Sequence, residues 1–311
     1  MKKFFGLFLF SCLLATSAAS AANAVKQEKD FVDAGVLTYL GTTEAEFQAG
    51  LDDLRKAVAP LLPTEENKGE WSDYDMMEGF LTSLVKNRRV IHFYDSLLSM
   101  QMALRSGQLD EIALPEPVGM YLVQNNPKYD IYFSLNMLPS TISFGFRNGN
   151  ESLCREFNSA ILAMKNDGTL AKLRKNFVTE LGQSQPEEIK FQNFKNAATI
   201  RVAVTGDLPP IDFIAADGKP TGYNTAILSE IGRRLKKNIR LISIESGARS
   251  SALASERVDV VFWYRNTGGL KTLPKVKDKN LRNVMQDTAT GVLLSEPYYD
   301  WDTDLVIGLA N

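Results

Sequence analysis

The sequence predicts an α/β protein whose parallel sheets are covered by helices. Three observations carry this. Short apolar runs alternate with amphipathic stretches along most of the chain. A polar stretch containing Pro186, Gln183–Ala197, splits that alternation in two. One pattern also stands on both sides of the split: Leu104-Arg-Ser-Gly-Gln-Leu109-Asp110 matches Leu253-Ala-Ser-Glu-Arg-Val258-Asp259. Each is a helix end, a turn, an aspartate and an apolar strand. Chance recurrence among βαβ units accounts for such a repeat. So do two similar lobes, each with its own sheet, holding a ligand between them at the carboxyl ends of their strands. A length of 311 residues suits one large domain or two smaller ones.

The elements follow in order. Lys2 and Lys3 open the chain, Phe4–Ala15 is apolar, and small residues run from Thr16 to Ala24. This reads as a secretion signal, with cleavage after Ala21 or Ala24 at an A-x-A pattern. The apolar run is too short for a membrane span, and Cys12, with Phe10 before it, makes a poor lipobox. Val36–Tyr39 is a strand. Thr43 and Glu46 form a capping box for a helix carrying Phe47, Leu51, Leu54 and Val58, stopped by Pro60 and Pro63. Trp71–Asn87 has a helical apolar face. Val90–Phe93 is a strand, Ser96–Arg105 a helix, Leu109–Ala113 a strand and Pro117–Gln124 a helix. Tyr129–Phe133 and Thr141–Phe146 read as two strands, Glu151–Lys165 and Thr169–Leu181 as helices.

Beyond the polar stretch, Thr199–Val204 is a strand. Ile211–Ala215 with the Asp217-Gly218 turn suggests a hairpin. Tyr223–Leu235 is a helix, Ile239–Ile244 a strand, Arg249–Ser255 a helix and Val258–Trp263 a strand. Gly268–Asn283 is basic and rich in turn residues, and Gly291–Leu294 and Leu305–Leu309 are late strands.

Composition excludes several functions. Removing the signal takes Lys+Arg from 35 to 33 against 37 acids, so nothing draws the molecule to nucleic acid. One histidine, His92, and two cysteines, Cys12 and Cys154, exclude a Cys/His zinc site and make any Ser-His-Asp or Cys-His chemistry depend on His92. No metal or other cofactor and no catalytic residue is expected.

From Thr199 to Tyr264 the chain resembles the family 3 extracellular solute-binding proteins, the amino-acid-type periplasmic binding proteins. The residues are Ile200-Arg-Val-Ala-Val-Thr205, Leu208-Pro-Pro210, Asp217-Gly218, Gly222-Tyr-Asn224 and Val258-Asp-Val-Val261; Ser295-Glu-Pro-Tyr-Tyr299 adds to them. These are similar to the family's N-terminal part. Segments similar to its C-terminal part come earlier: Val36-Leu-Thr-Tyr-Leu-Gly-Thr-Thr43, Ala103–Leu122, Ile142-Ser-Phe-Gly-Phe-Arg147, Asn150-Glu-Ser-Leu153 and Asp167-Gly-Thr-Leu170. The resemblance implies a circularly permuted, two-lobe periplasmic-binding-protein fold of type II, each lobe a mostly parallel sheet flanked by helices. Residues 1–24 are then the signal peptide and 25–139 the second, C-type lobe. Residues 140–304 are the first, N-type lobe, with linker 183–197 inside it, and 305–311 cross back. Leu305–Leu309 is expected beside Val36–Tyr39, with the region of Val25 close to Asn311.

The resemblance also implies a site. Gly41, Thr42 and Thr43 open a helix and would hold a ligand carboxylate on free backbone N–H groups; by themselves they are a plain N-cap. Carried over by position, Leu208, Trp263, Tyr264, Asn266 and Lys271 stand at the ligand positions of the first lobe, with Arg265 a nearby substitute for the cation. The position of the family's amine-binding aspartate falls on Pro115, with Glu116 next to it; Asp110 reads as structural. The implied function is a secreted solute-binding protein, periplasmic or extracytoplasmic, that captures a small polar or anionic ligand for the membrane subunits of an ABC-type importer. It is expected to act as a monomer and to bind standard α-amino acids weakly. The alternatives are a ligand-less or sensory interaction module on the same fold, and a dehydratase or lyase using Glu116 as acid or base.

Overall fold

The structure is a computed structural model that describes residues 31–37, 89–180, 189–215, 217–266 and 292–310, with Asp52, Lys56 and Ala59. Most of the expected helix after Thr43, all of that over Trp71–Asn87 and the stretch Gly268–Asn283 lie outside them.

In the first half, β1 (Val32–Leu37) is flanked in parallel by β2 (Arg89–Tyr94) and β3 (Glu111–Pro115). The turn from β2 places Ser96 as an N-cap, its Oγ accepting from the Ser99 N–H at 3.1 Å. Helix α1 (Leu97–Arg105) then buries Leu97, Met100, Ala103 and Leu104, the i, i+3, i+4 spacing of a core-facing stripe. Helix α2 (Glu116–Asn125) carries Pro117 in its first turn, where a missing N–H is harmless, and buries Val118 and Leu122.

The two strands expected over Tyr129–Phe133 and Thr141–Phe146 are one, β4 (Tyr129–Arg147). After it come α3 (Glu151–Asn166) and α4 (Thr169–Arg174), the latter ending in a π-helical turn, Lys175–Thr179. Phe157 of α3 packs edge-on against Phe144 and Phe146 of β4 at 5.4 and 5.0 Å between ring centres.

In the second half, β5 (Thr199–Val204) leads into a small sheet of β6 (Asp207–Leu208), β7 (Asp212–Ile214) and β8 (Pro220–Thr221). Helix α5 (Tyr223–Leu235), β9 (Asn238–Ser243), α6 (Arg249–Ala254) and β10 (Val260–Asn266) follow. Strands β9 and β10 flank β5 in parallel. The order β9-β5-β10 therefore repeats the order β2-β1-β3.

The recurring sequence pattern occupies the same place in both halves. Asp110 donates its N–H to the Asp33 carbonyl at 2.8 Å and accepts the Asp33 N–H on Oδ2 at 3.1 Å. Asp259 does the same to Arg201, at 2.8 Å each way. Each carboxylate pins the start of its half's central strand, so Asp110 is structural as expected.

Two late strands, β11 (Val292–Leu294) and β12 (Tyr299–Leu309), complete the sheet. Strand β12 pairs antiparallel with β3 on one side and β4 on the other, and the far end of β4 pairs with β10 and β11. Because β4 and β12 are long, the hydrogen-bond ladder joins both halves into a nine-stranded sheet, β2-β1-β3-β12-β4-β10-β5-β9 with β11 on β4. This corrects the expectation of two separate sheets. It also corrects the place of Leu305–Leu309: that segment lies in the first half, but β3 stands between it and β1. Where the halves meet, the β4–β12 register jumps from Thr303↔Asn136 to Trp301↔Ser140, so Met137–Pro139 stand opposite Asp302 alone. Two parallel three-strand units, each with its own helices, are thus joined by two long antiparallel strands, which gives the α/β, two-lobe arrangement expected.

Candidate functional site

In parallel sheets, groups that serve a ligand collect outside the carboxyl ends of the strands. In the first half those ends lead to Asp95-Ser96 after β2 and to Glu116 after β3. In the second they lead to Thr205-Gly206-Asp207 after β5 and to Glu245 and the 3-10 turn Ser246–Ala248 after β9. The two sets meet. The Leu97 N–H, first of α1, donates to Asp207 Oδ2 at 2.9 Å across the junction. A Cβ on Gly247 would lie 3.0 Å from Asp95 Oδ1. The Tyr121 ring of α2 lies 5.9 Å from the Phe213 ring of β7.

The loop that carries Asp207 is braced from below by Asp212. Its buried Oδ2 accepts from the Thr205 N–H at 2.8 Å, the Thr205 hydroxyl at 3.1 Å and the Gly206 N–H at 3.0 Å. Gly206 takes φ +78°, a left-handed turn that glycine adopts without strain. Burial pushes the Asp212 carboxyl up to about 6, and the neighbouring Asp207 charge adds to this, against the lowering effect of its hydrogen bonds.

Strand β10 is interrupted by a bulge. Its register with β4 shifts between Val261 and Tyr264, and Trp263 sits at φ +54°, a rare conformation for a bulky residue. Side chains stabilise the bulged peptide. Arg249 Nη1 donates to the Phe262 carbonyl at 2.8 Å, and the Trp263 N–H donates to Tyr298 Oη at 3.0 Å. Tyr298 is itself fixed by its own carbonyl, which accepts from Tyr223 Oη at 2.8 Å. Burial pushes the Tyr298 hydroxyl far above the usual phenol range.

The positions expected from the sequence fare differently. Gly41, Thr42, Thr43 and Lys271 lie outside the described residues. Arg265 and Asn266 lie at the end of β10, opposite Ile142 and Thr141 of β4. Glu116 is exposed at the first position of α2. Leu208, Trp263 and Tyr264 are 2%, 1% and 4% exposed. Trp263 packs in the larger core, its ring 5.4 Å from Tyr299, which also carries the Arg174 guanidinium 4.6 Å above its face. Tyr264 packs in a separate cluster with Ala252, Leu253 and Val258. The two rings therefore lie in different clusters and do not form one aromatic shelf.

Sequence reasoning missed Asp207, Asp95 and Asp212. The available signal was position alone: an acid leaving a strand beside a turn, as in Gly206-Asp207 and Asp95-Ser96. Among the described residues no group of three His, Cys, Asp or Glu side chains could hold a metal ion. Among them, too, no helix is long and apolar enough to cross a membrane.

Residues 200–264 match the sequence profile of the bacterial extracellular solute-binding proteins, family 3. No curated protein matches the chain. Among solved structures it is similar to the ligand-binding component of an ABC-type import system from Staphylococcus aureus, with zinc bound. There the identity is 10%, the TM-score 0.40, and the alignment covers 89% of this chain and 66% of that one, just under two thirds of its length. It is also similar to the methionine-binding protein MetQ (8%, TM-score 0.36, covering 90% and 83%). A third is the alkanesulfonate-binding protein SsuA from Xanthomonas axonopodis pv. citri bound to MOPS (7%, TM-score 0.36, covering 91% and 66%). Likenesses this distant carry no ligand or partner across. The matched segment spans β5, the β6–β8 hairpin, α5, β9, α6 and most of β10, the whole parallel unit of the second half, and it is this unit that is similar to the family 3 solute-binding proteins.

Proposed function

We propose that this protein works outside the cytoplasm and closes its two halves on a small polar or anionic solute, which it presents to the membrane subunits of an ABC-type importer. The observation that carries this is the meeting of strand ends from both halves, with Leu97 and Asp207 in contact, while β4 and β12 run through both halves. Two strands with an irregular register at the junction suit a hinge. On this reading Gly41–Thr43, with Lys271 or Arg265, hold the anion. Asn266 and Glu116 are the ligand positions at the carboxyl end of a strand in each half, while Leu208, Trp263 and Tyr264 support the site from within the core. The permuted order belongs to the same proposal, with residues 25–139 one lobe and 140–304 the other. It is supported by the family 3 unit lying C-terminal to a parallel unit of equal strand order. The leader 1–24 directs export.

The burial of Leu208, Trp263 and Tyr264 favours a second reading, an interaction module that keeps the fold without a ligand. Native mass spectrometry of the purified mature protein separates the two. A co-purified small molecule, released on denaturation, is expected. No added mass, together with no melting shift against a panel of amino acids, aromatic acids and inorganic anions, would favour the module.

A further inference from the structure

We propose that Asp207 is a built-in latch that keeps the two halves together without a ligand. This rests on the reading of the molecule as two halves that close. The first N–H groups of a helix have no partner inside it, and a negative charge is favoured there. In α1 the Ser99 N–H is taken by Ser96 of the same half, but the Leu97 N–H is taken by Asp207, 110 positions away in the other half. One half thus caps a helix of the other. The cap is held in place: Asp212 binds both N–H groups of Thr205-Gly206, immediately before Asp207, and the Ile214 N–H donates to the Gly206 carbonyl at 3.0 Å. Beside the latch, Asp95 approaches Gly247 and Tyr121 approaches Phe213, so the bond sits within a contact between the halves and is not an isolated surface touch. Opening the halves strips the Leu97 N–H and the Asp207 carboxylate of each other, and a solute must compete with that contact to enter.

The close approach of Asp95 to Gly247 supplies the measurement. Asp95→Cys with Gly247→Cys in the full mature chain forms a disulfide only when the halves are closed. Its rate of formation under mild oxidant is followed on non-reducing gels. With Asp207 intact and no ligand added, rapid cross-linking is expected. Asp207→Ala should slow it roughly tenfold, the worth of about one hydrogen bond to a charged group. Leu97→Pro removes the donor from the other side at a position where helices accept proline, and should slow it similarly. The combined variant should be no slower than either alone. Circular dichroism and melting of each variant, with the rates taken well below the melting temperature, separate opening from unfolding. Equal rates in all variants would overturn the latch and leave closure standing. No cross-link in any variant that retains its fold would overturn closure as well.

Discussion

Asp212 shows how one buried carboxyl can tune both a loop and the stability of the chain. Its folded pKa is raised from 3.8 to about 6 by burial. A raised carboxyl binds more protons folded than unfolded between those values, so its stabilising contribution is complete below about pH 4 and is lost as pH rises through 6. The loss is on the order of 3 kcal/mol, at about 1.4 kcal/mol per pKa unit. Asp212→Asn keeps an oxygen to accept from Thr205 and Gly206 and never ionises. Its melting temperature, measured against wild type, should therefore gain steadily from pH 4 to pH 7; a constant difference would mean that Asp212 titrates normally. A second residue-scale case is the buried pair of Arg89 and Glu111, bidentate at 2.7 and 2.9 Å across β1. Glu111→Ala takes the carboxylate away from a buried guanidinium and should cost about 3–5 kcal/mol in urea unfolding. Replacing both, Arg89→Met with Glu111→Leu, should restore most of that. Equal losses in the single and double variants would argue against the pair.

At the scale of elements, β4 and β12 hold the two halves in one sheet, and the fit between them is close. Gly308 of β12 lies under the Tyr132 ring of β4: a Cβ there would come within 2.0 Å of Tyr132 Cζ. The Tyr132 hydroxyl also donates to the Leu309 carbonyl at 3.2 Å. An aromatic ring laid over a strand glycine is a known way of filling the missing side chain. Gly308→Ala should therefore destabilise by about 1–3 kcal/mol, the usual cost of overpacking. Adding Tyr132→Ala should make the pair less than additive, and simple additivity in denaturant melts would show that the ring and the glycine are independent. Sequence periodicity found most elements, including α5 at its observed bounds, Tyr223–Leu235. It did not find the continuity of β4. Asn136 to Ser140 contains Pro139 and breaks the apolar pattern, and the strand is carried through by pairing with β12 at Asn136 and at Ser140, on either side of the irregularity.

At the scale of the whole molecule, the halves share one strand order, β2-β1-β3 and β9-β5-β10, which is what the proposed permutation requires. If the chain is a permutation, placing residues 189–310, which keep Ile189 and Phe191 on the core, before residues 31–180 through a short Gly/Ser linker should leave a protein that folds cooperatively. Its far-UV dichroism should match the original and its melting temperature should lie within a few degrees, since connectivity changes loop entropy and not core contacts. A rearranged chain that stays unfolded would count against permutation.

What the sequence determined by itself was local or repeated: the alternation of strands and helices, the polar divide, and the recurrence of one helix–turn–aspartate–strand pattern. Each is written within a few residues by period, cap or turn chemistry. What only the tertiary structure decided was everything that joins distant positions. Asp207 finding the Leu97 N–H, Asp212 bracing Thr205 beneath it, and Trp263 and Tyr264 parting into two clusters at a bulge depend on contacts made after the halves come together. The reason is physical. Periodicity records which face of an element is apolar, but the sequence does not record which partner that face, or an unpaired N–H at a helix start, meets in space.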